Sequence, residues 1–311
     1  MTGRLLESRY HRRWTQFSIR ALLVTMAISA VVFAVLGWTI RQARLENQEL
    51  EVRAWIRGVG GRLRDWGESA PYVNLNETRV SDLSSLAGLR NLKSLSLNYS
   101  SVTDLSPISR FSELEDLRCL QTQVGDLSPL AGMGNLRFVF LDGTRVTDLS
   151  PLAGLENLEE LSLSFTLVGD LTPLTNAKSL KVLCITHTSI CDLSPLAGLE
   201  NLEVLYASST PVSDLVPLAG LTNLRSLRLS RTQVTELSPL AGMDKLEELW
   251  LDGTLLRDLS PLAGLENLTH VTLLNTPVTR EEIDELQAQL PYCRIDVQCP
   301  SGMDVTDDAK R

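Results

Sequence analysis

Few residues in this chain carry side chains suited to catalysis. The 311 residues include three histidines and five cysteines. Cys184 and His187 lie near each other, and a thiol beside an imidazole is one pairing that activates a nucleophile. They are three residues apart on a predicted strand, where they tend to point to opposite faces, and no third residue orients the histidine. With no phosphate loop or nucleophile elbow either, we predict a protein that is not an enzyme.

A metal site is the second chemistry to consider. His270 and Glu248 would be neighbours on adjacent strands, but two side chains make a poor metal site. An acidic residue also recurs every 22 residues, two positions before a predicted helix start. Because it stands in every unit, we interpret it as an Asx-turn that accepts a backbone N–H, and we expect no metal or cofactor. This acidic column contains Asp82, Asp104, Asp126, Asp148, Asp170, Asp192, Asp214, Glu236 and Asp258.

Aromatic residues and arginines at outward strand positions are better suited to binding. Tyr206, Arg228 and Trp250 would lie on three neighbouring strands, with the arginine between the rings, which favours cation–π contact. Tyr, Trp and Arg are also the residues most often found as interface hot spots. The alternative is that such aromatic residues only stabilise the sheet. We predict a partner-binding surface formed by Tyr206, Arg228, Trp250, Phe138, Phe140, Phe165, Arg118 and His187.

These side chains belong to about ten copies of a 22-residue unit that runs from Tyr72 to Val297. In the copy N-L-E-E-L-S-L-S-F-T-L-V-G-D-L-T-P-L, Leu158, Leu161 and Leu163 are predicted to point inward, whereas Glu160 and Ser162 point outward. A fixed period of this size is typical of a solenoid, in which each repeat buries its apolar face against its neighbours. A hydroxyl column is predicted to bond turn backbone: Thr78, Ser100, Thr122, Thr144, Thr166, Thr188, Thr210, Thr232, Thr254 and Thr276.

The second half of each unit contains helix signals. Ser or Thr followed by Pro fits an N-cap with Pro at the first helical position, as at Ser150-Pro151 and Thr172-Pro173. A glycine follows in most copies and is predicted to end the segment through a positive φ. Each unit is therefore predicted to run as strand, turn, short helical segment and return.

One outward column alternates in charge. It reads Lys93, Glu115, Arg137, Glu159, Lys181, Glu203, Arg225 and Glu247. Neighbouring strands lie about 4.8 Å apart, so each charge would stand between two opposite ones. A slip of one coil would stack like charges, so we interpret the column as fixing the register of the coils rather than binding a ligand.

The pattern L-x-x-L-x-L-x-x-T-x-V-x-D-L-S-P-L-A-G-L resembles the short leucine-rich repeats of the internalin and phosphatase-regulator type, over about three quarters of the chain. The resemblance implies an α/β fold, a curved right-handed solenoid with parallel strands on the concave face and short helical segments on the convex face. It implies binding rather than a reaction. The last unit departs: 278–291 reads as a longer helix and Cys293–Val297 as a closing strand, similar to a ribonuclease-inhibitor-like repeat. Residues 298–311 are polar and predicted to be disordered.

Residues 21–40 are free of charge and long enough to span a bilayer as a helix, with Trp14 and Trp38 near the ends. A cleaved signal peptide and a buried core helix are the alternatives. The start R-x-W-T-Q-F-S-I-R-A-L-L is similar to the anchors of bacterial membrane proteins that carry leucine-rich repeats. Five arginines in the basic segment 1–20 against four in 41–60 predict a cytoplasmic N-terminus and an extracytoplasmic solenoid. Residues 41–71 are predicted to form a linker helix and N-terminal cap, with a membrane-surface helix as the alternative.

A net charge of −9, with no basic face in the repeats, argues against nucleic-acid binding. Cys119 replaces a core leucine, Cys184 should face the concave side and Cys191 the turn, while a bridge between Cys293 and Cys299 stays open. We predict a membrane-anchored scaffold that binds a protein or peptide on the concave face. The alternatives are a structural or adhesive envelope component that holds glycan, and a cytoplasmic phosphatase-regulator-like subunit.

Overall fold

A computed structural model describes residues 3–66 and 69–297 of the chain, with the backbone alone described for 3–23, 25, 65–66 and 69–71. The predictions for the tail 298–311, for Cys299 and for the side chains of the basic segment lie outside the described residues. The chain forms two compact units, Met1–Ala54 and Trp55–Arg311.

The first unit is helical. Helix α1 runs over Gly3–Gly58, and its described apolar side chains before residue 41 are exposed, from 49% at Val32 to 74% at Phe33. Among the described residues, one stretch, Met26–Gly58, is long and apolar enough to cross a membrane, a test that a signal sequence also passes. The alternative of a buried core helix is wrong for this segment, because its apolar side chains are not packed in a core.

The second unit is built on one sheet of twelve strands in the described residues, in which each strand pairs with the next along the chain. Pairing is parallel from β2 to β12, and only β1 runs antiparallel to β2. The strands are β1 Arg62–Trp66, β2 Ser69–Asn74, β3 Ser94–Ser96, β4 Asp116–Arg118, β5 Phe138–Phe140, β6 Glu160–Ser162, β7 Val182–Cys184, β8 Val204–Tyr206, β9 Ser226–Arg228, β10 Glu248–Trp250, β11 His270–Thr272 and β12 Arg294–Asp296.

The core consists of columns of one side chain per coil. Leu158, Leu161 and Leu163 are fully buried, which confirms the predicted inward positions. The hydroxyl column lies behind the strands as predicted: the Thr166 hydroxyl donates to the carbonyl oxygen of Leu163 at 2.6 Å, and the other threonines repeat the bond. Ser100 is the exception to the prediction, because its buried hydroxyl has no hydrogen-bond partner among the described residues.

The helical segments behind the sheet are 3-10 helices. In the described residues they are Ser84–Gly88, Ser106–Ile108, Ser128–Leu130, Ser150–Leu152, Thr172–Leu174, Ser194–Leu196, Val216–Leu218, Ser238–Leu240 and Ser260–Leu262. The predicted Ser or Thr N-cap is wrong, because the cap position is the preceding leucine and no side chain caps it. The predicted Asx-turn is confirmed for the aspartates: Asp170 Oδ1 accepts the backbone N–H of Thr172 at 2.8 Å, and the other seven aspartates of the column make the same bond. Glu236, the one glutamate in the column, shows no such bond in the described part of the chain.

Glycine plays a smaller part in ending these segments than predicted. Of the glycines that follow them, Gly132 and Gly154 have positive φ, whereas Gly198, Gly220, Gly242 and Gly264 do not. In the latter coils the residue after the 3-10 helix keeps a helical φ and ψ. The positive φ instead recurs just after each strand, at Glu77, Tyr99, Gln121, Gly143, Phe165, His187, Ser209, Arg231, Gly253 and Asn275.

Both ends of the stacked core are closed. At the C-terminal end, helix α2 (Arg280–Gln289) buries Leu286, and β12 extends the sheet, as the departing last repeat predicted. At the N-terminal end, Ile56 is fully buried, and a Cβ on Gly61 would fall 2.5 Å from the Leu75 side chain and 3.0 Å from that of Ile56. Glycine therefore permits the close approach there, and the β1–β2 hairpin adds an antiparallel strand that sequence reasoning did not predict.

Candidate functional site

The outward side chains of β2–β12, which we call the sheet face, form two rows. From β3 to β11 the middle residue of each short strand is buried in the core, so the residues before and after it point outward. In β2 the buried residue is Val73, and in β12 the corresponding Ile295 is partly buried. The first row contains Tyr72, Ser94, Asp116, Phe138, Glu160, Val182, Val204, Ser226, Glu248, His270 and Arg294. The second row contains Asn74, Ser96, Arg118, Phe140, Ser162, Cys184, Tyr206, Arg228, Trp250, Thr272 and Asp296.

Tyr206, Arg228 and Trp250 meet on β8, β9 and β10 in the predicted order. The guanidinium carbon of Arg228 lies 4.2 Å from the ring centroid of Tyr206 and 4.4 Å from that of Trp250. The edge of the indole also meets the ring of His270, with centroids 5.7 Å apart. All four side chains are partly buried rather than fully exposed, because each ring covers its neighbour. We call Tyr206, Arg228 and Trp250 the aromatic–arginine cluster.

A second group of aromatic residues lies on β5. The guanidinium carbon of Arg118 is 4.9 Å from the centroid of Phe140, and that of Arg137 is 5.0 Å from the centroid of Phe138. Both phenylalanines are partly buried. Arg118 and Phe140 are thus neighbours in the second row and are in contact. Arg137 also contacts a predicted binding residue, Phe138, although sequence reasoning had assigned it to the charge column alone.

Phe165 and His187 lie apart from both rows, at the positive-φ turn after the strands. Their rings stack with centroids 4.4 Å apart and an interplanar angle of 18°. Phe165 is 50% exposed, and Leu167 beside it is 67% exposed. The pair forms an apolar edge of the solenoid rather than part of the sheet face.

Cys184 belongs to the second row. Burial raises the pKa of its thiol to about 12, so the thiol is poorly suited to act as a nucleophile.

Carboxylates form a feature of the sheet face that the sequence prediction missed. Partly buried Glu160 lies near Asp116 and Asp142, and burial raises its pKa, with Arg118 opposing the rise and both aspartates adding to it. Asp142 accepts hydrogen bonds from the Ser162 hydroxyl and from the backbone N–H of Ser164. Reading the column that contains Asn76, Asn98, Asp142 and Asp252 at the 22-residue period would have indicated these acceptors.

Beside the aromatic–arginine cluster, Asp296 on β12 joins the last two strands. Its carboxylate lies 2.9 Å from His270 Nε2 and accepts from Arg294 Nε at 2.9 Å. Burial by itself raises the pKa of Asp296, but the hydrogen bonds from Arg294 and His270 together outweigh burial and leave the pKa lowered. Within the described part of the chain, no group of three or more His, Cys, Asp or Glu residues could hold a metal ion. His270, which the sequence places beside Glu248, has Asp296 as its hydrogen-bond partner.

The alternating charge column lies at the start of the strands and forms ion pairs between coils. The nitrogen–oxygen distances are 2.6 Å for Lys93–Glu115, 2.6 Å for Arg137–Glu159, 2.8 Å for Glu159–Lys181 and 2.6 Å for Arg225–Glu247. These contacts link neighbouring coils along one edge of the sheet face and are consistent with a role in register.

Of the remaining cysteines, Cys119 is buried, as predicted, and Cys191 is exposed.

Comparison with known proteins identifies this architecture. The family model described as "Leucine Rich repeats (2 copies)" matches residues 134–176, 200–242 and 222–264. An internalin from Listeria monocytogenes (inlF) is 28% identical, with 80% of this chain and 74% of that chain covered and a TM-score of 0.72. Internalin C2 from the same species is 35% identical, with 61% and 83% covered and a TM-score of 0.57.

A leucine-rich-repeat protein from Leptospira interrogans is 23% identical, with 70% of this chain and 63% of that chain covered and a TM-score of 0.62. At that identity the likeness is one of fold alone. A search of curated proteins gives no match to this chain.

Proposed function

This chain belongs to the leucine-rich-repeat family of the internalin type, and on that premise we propose that it is a membrane-anchored, non-catalytic scaffold whose sheet face binds a protein or peptide. Proteins of this repeat class generally act as protein-binding scaffolds, using the extended surface that the stacked coils create. The observation that carries the proposal is the aromatic–arginine cluster, in which Arg228 stands between Tyr206 and Trp250 on the sheet face.

The core of the solenoid does not depend on this cluster. The buried leucine columns fill every coil behind it, and most coils carry small or charged residues at the same outward positions. Two large rings held by a guanidinium are already ordered, so little side-chain entropy is lost when a partner covers them. Such pre-ordered Tyr, Trp and Arg residues are the usual source of binding free energy in an interface.

The proposed anchor is the apolar part of α1. Ten large apolar side chains between Val24 and Ile40 are exposed, and in water each would leave its hydrocarbon surface hydrated at a cost of about 25 cal/mol per Å². A bilayer removes that cost, and Trp38 lies where an interfacial anchor is expected. The arginine count around residues 21–40 favours a cytoplasmic N-terminus and a solenoid outside the cytoplasm.

Alanine variants of the cluster test the binding role. The full chain, purified in detergent, is used to capture proteins from an envelope extract of its native cells, and in parallel is applied to a glycan array. We expect Trp250→Ala and Tyr206→Ala to abolish protein capture with little loss of thermal stability. Leu255→Ala is the matched control, because Leu255 is 58% exposed and lies on the turn outside both rows. Unchanged capture by both variants would remove the cluster from the binding site, and glycan binding without protein capture would favour an envelope component.

Protease protection tests the anchor and its orientation. External protease is added to spheroplasts of cells that express the full chain with a C-terminal tag. Loss of the tag while cytoplasmic markers stay intact would support an extracytoplasmic solenoid. Protection of the tag would contradict the orientation and favour a cytoplasmic regulatory subunit, and release of the tagged chain into the soluble fraction would contradict the anchor.

A further inference from the structure

Three buried hydroxyl residues occupy the second row of the sheet face. Ser96, Ser162 and Thr272 are 1%, 7% and 7% exposed. The Ser96 hydroxyl donates to Asn76 Oδ1 at 2.6 Å, and the Ser162 hydroxyl donates to Asp142. Each acceptor precedes its serine by 20 residues, so the coil before the strand supplies the partner. In these two coils the buried hydroxyl of the second row therefore has a hydrogen-bond acceptor within the chain.

Thr272 lacks the corresponding bond. Its Oγ1 is buried and has no hydrogen-bond partner among the described residues, although Asp252 stands at the equivalent position. The Asp252 carboxylate accepts the backbone N–H of Leu274 at 2.8 Å and the Ser230 hydroxyl at 3.4 Å. On the other side, Asp296 is held by His270 and Arg294. Both flanking carboxylates are therefore engaged by other groups.

A second polar atom without a partner lies on the adjacent strand. Trp250 is aligned with Thr272 in the parallel ladder between β10 and β11. The indole Nε1 of Trp250 is also buried and has no hydrogen-bond partner within the described part of the chain. An indole N–H can only donate, and a threonine hydroxyl can donate as well as accept. Because buried polar groups in proteins are nearly always paired, two unpaired donors on neighbouring strands mark a place that an acceptor can stabilise.

We infer that the Trp250–Thr272 step of the sheet face anchors an acceptor oxygen of a bound peptide, either a main-chain carbonyl or a terminal carboxylate. The oxygen accepts from Trp250 Nε1 and Thr272 Oγ1, and the inference rests on the proposed function. The guanidinium of Arg228 on the far side of the indole adds positive potential that favours such an oxygen. Because both donors are shielded in the free protein, the indole tilts away from Thr272 as the peptide enters.

Thermal unfolding of the full chain tests the free state. Thr272→Val removes an unpaired hydroxyl while keeping the side-chain shape, so we expect the Tm to stay the same or rise. Ser162→Ala is the matched control, because it removes a hydroxyl that donates to Asp142, and its Tm should fall. A Thr272→Val variant that loses as much stability as Ser162→Ala would overturn the inference, since its hydroxyl would then be satisfied in the free protein.

Peptide binding tests the bound state. A random displayed peptide library is selected on the full chain in nanodiscs, and each enriched peptide is made with a free acid and with an amide at its C-terminus. We expect Trp250→Phe and Thr272→Val each to weaken binding about tenfold, the loss of one good hydrogen bond. A matching loss on amidation would identify a terminal carboxylate, and equal binding of acid and amide forms would identify a main-chain carbonyl.

The two levels of the proposal fail separately. If Tyr206→Ala weakens binding but Trp250→Phe and Thr272→Val bind as the native chain does, the sheet-face function stands and the acceptor site is wrong. If none of the three changes matters, both are contradicted. If no peptide is enriched, the acceptor site for a peptide is wrong, and the protein-capture experiment decides the sheet-face function separately.

Discussion

The guanidinium carbon of Arg228 lies 4.4 Å from the ring centroid of Trp250, one strand along the sheet. The two residues are 22 positions apart in sequence and are aligned in the parallel ladder between β9 and β10. The contact is therefore a direct product of the repeat, which places residues of equal position side by side on the sheet face. Residues that lie far apart in the sequence therefore form one continuous surface when the coils stack.

Reversing one charge of the alternating column should weaken the stack. Glu159 contacts both Arg137 and Lys181, at 2.6 and 2.8 Å, and exposed pairs of this kind contribute about 0.2–1 kcal/mol each. We expect Glu159→Lys to lower the Tm by a few degrees, and addition of Lys181→Glu to restore part of the loss. Thermal unfolding at low and high salt measures the effect, which should shrink as salt screens the charges. A double variant with no rescue would contradict a role in register.

Neutralising Glu160 should stabilise the protein at neutral pH. Its pKa is raised, mainly by burial, so the folded state holds the proton to higher pH than the unfolded state does. Stability contributed by the protonated form is therefore lost as the pH rises through the raised pKa. We expect Glu160→Gln to raise the Tm at pH 7 and to change it little below about pH 4, as measured by unfolding across that range. A lower Tm at pH 7 would indicate that the carboxylate is stabilised by neighbouring groups.

The acidic column should be more sensitive to the loss of its acceptor oxygen than to the loss of its charge. Asp170 Oδ1 accepts the Thr172 backbone N–H, and hydrogen bonds from the Thr172 side chain and backbone lower the pKa of Asp170. We expect Asp170→Ala to lower the Tm by a few degrees, whereas Asp170→Asn, which keeps an acceptor oxygen, should retain most of the stability. The contribution of the ionised form should be lost as the pH falls through the lowered pKa. Equal losses for the two variants would show that the charge matters more than the turn.

The C-terminal closure of the core depends on the start of α2. The Thr279 hydroxyl accepts the Glu282 backbone N–H at 3.3 Å, and Glu282 accepts the Thr279 N–H at 2.7 Å, a complete capping box. We expect Thr279→Ala to cost about 1 kcal/mol, or roughly 2–4 °C in Tm for a unit of this size. Thr279→Ser keeps the acceptor and serves as the control. A loss of similar size in the serine variant would point to the methyl group rather than the cap.

Features that repeat were predictable from the sequence, because a column read at 22-residue spacing is a column in space. The inward leucines, the hydroxyl bonds of Thr166 and its equivalents, the Asx-turn of Asp170 and the meeting of Arg228 with Trp250 all follow from that rule. The function of the sheet face does not follow from it and stays a proposal.

Features that depend on local geometry were not predictable in the same way. The 3-10 helix begins at Ser150, so the cap position falls on Leu149 and the serine does not cap the helix. Strand β1 occurs once and shares no column with the repeats. The missing partner of Thr272 depends on which neighbour the carboxylates of Asp252 and Asp296 select, and no residue pattern specifies that choice.

Site-specific photo-crosslinking in the native cells tests the central claim most directly. A benzoylphenylalanine is placed at Val204, on the first row next to the aromatic–arginine cluster, or at Val216, which is 66% exposed on a 3-10 helix behind the sheet. The proposed function predicts a discrete protein adduct from position 204, which disappears in the Trp250→Ala background, and none from position 216. Adducts that form only at position 216, or that persist at position 204 without Trp250, would contradict binding at the sheet face.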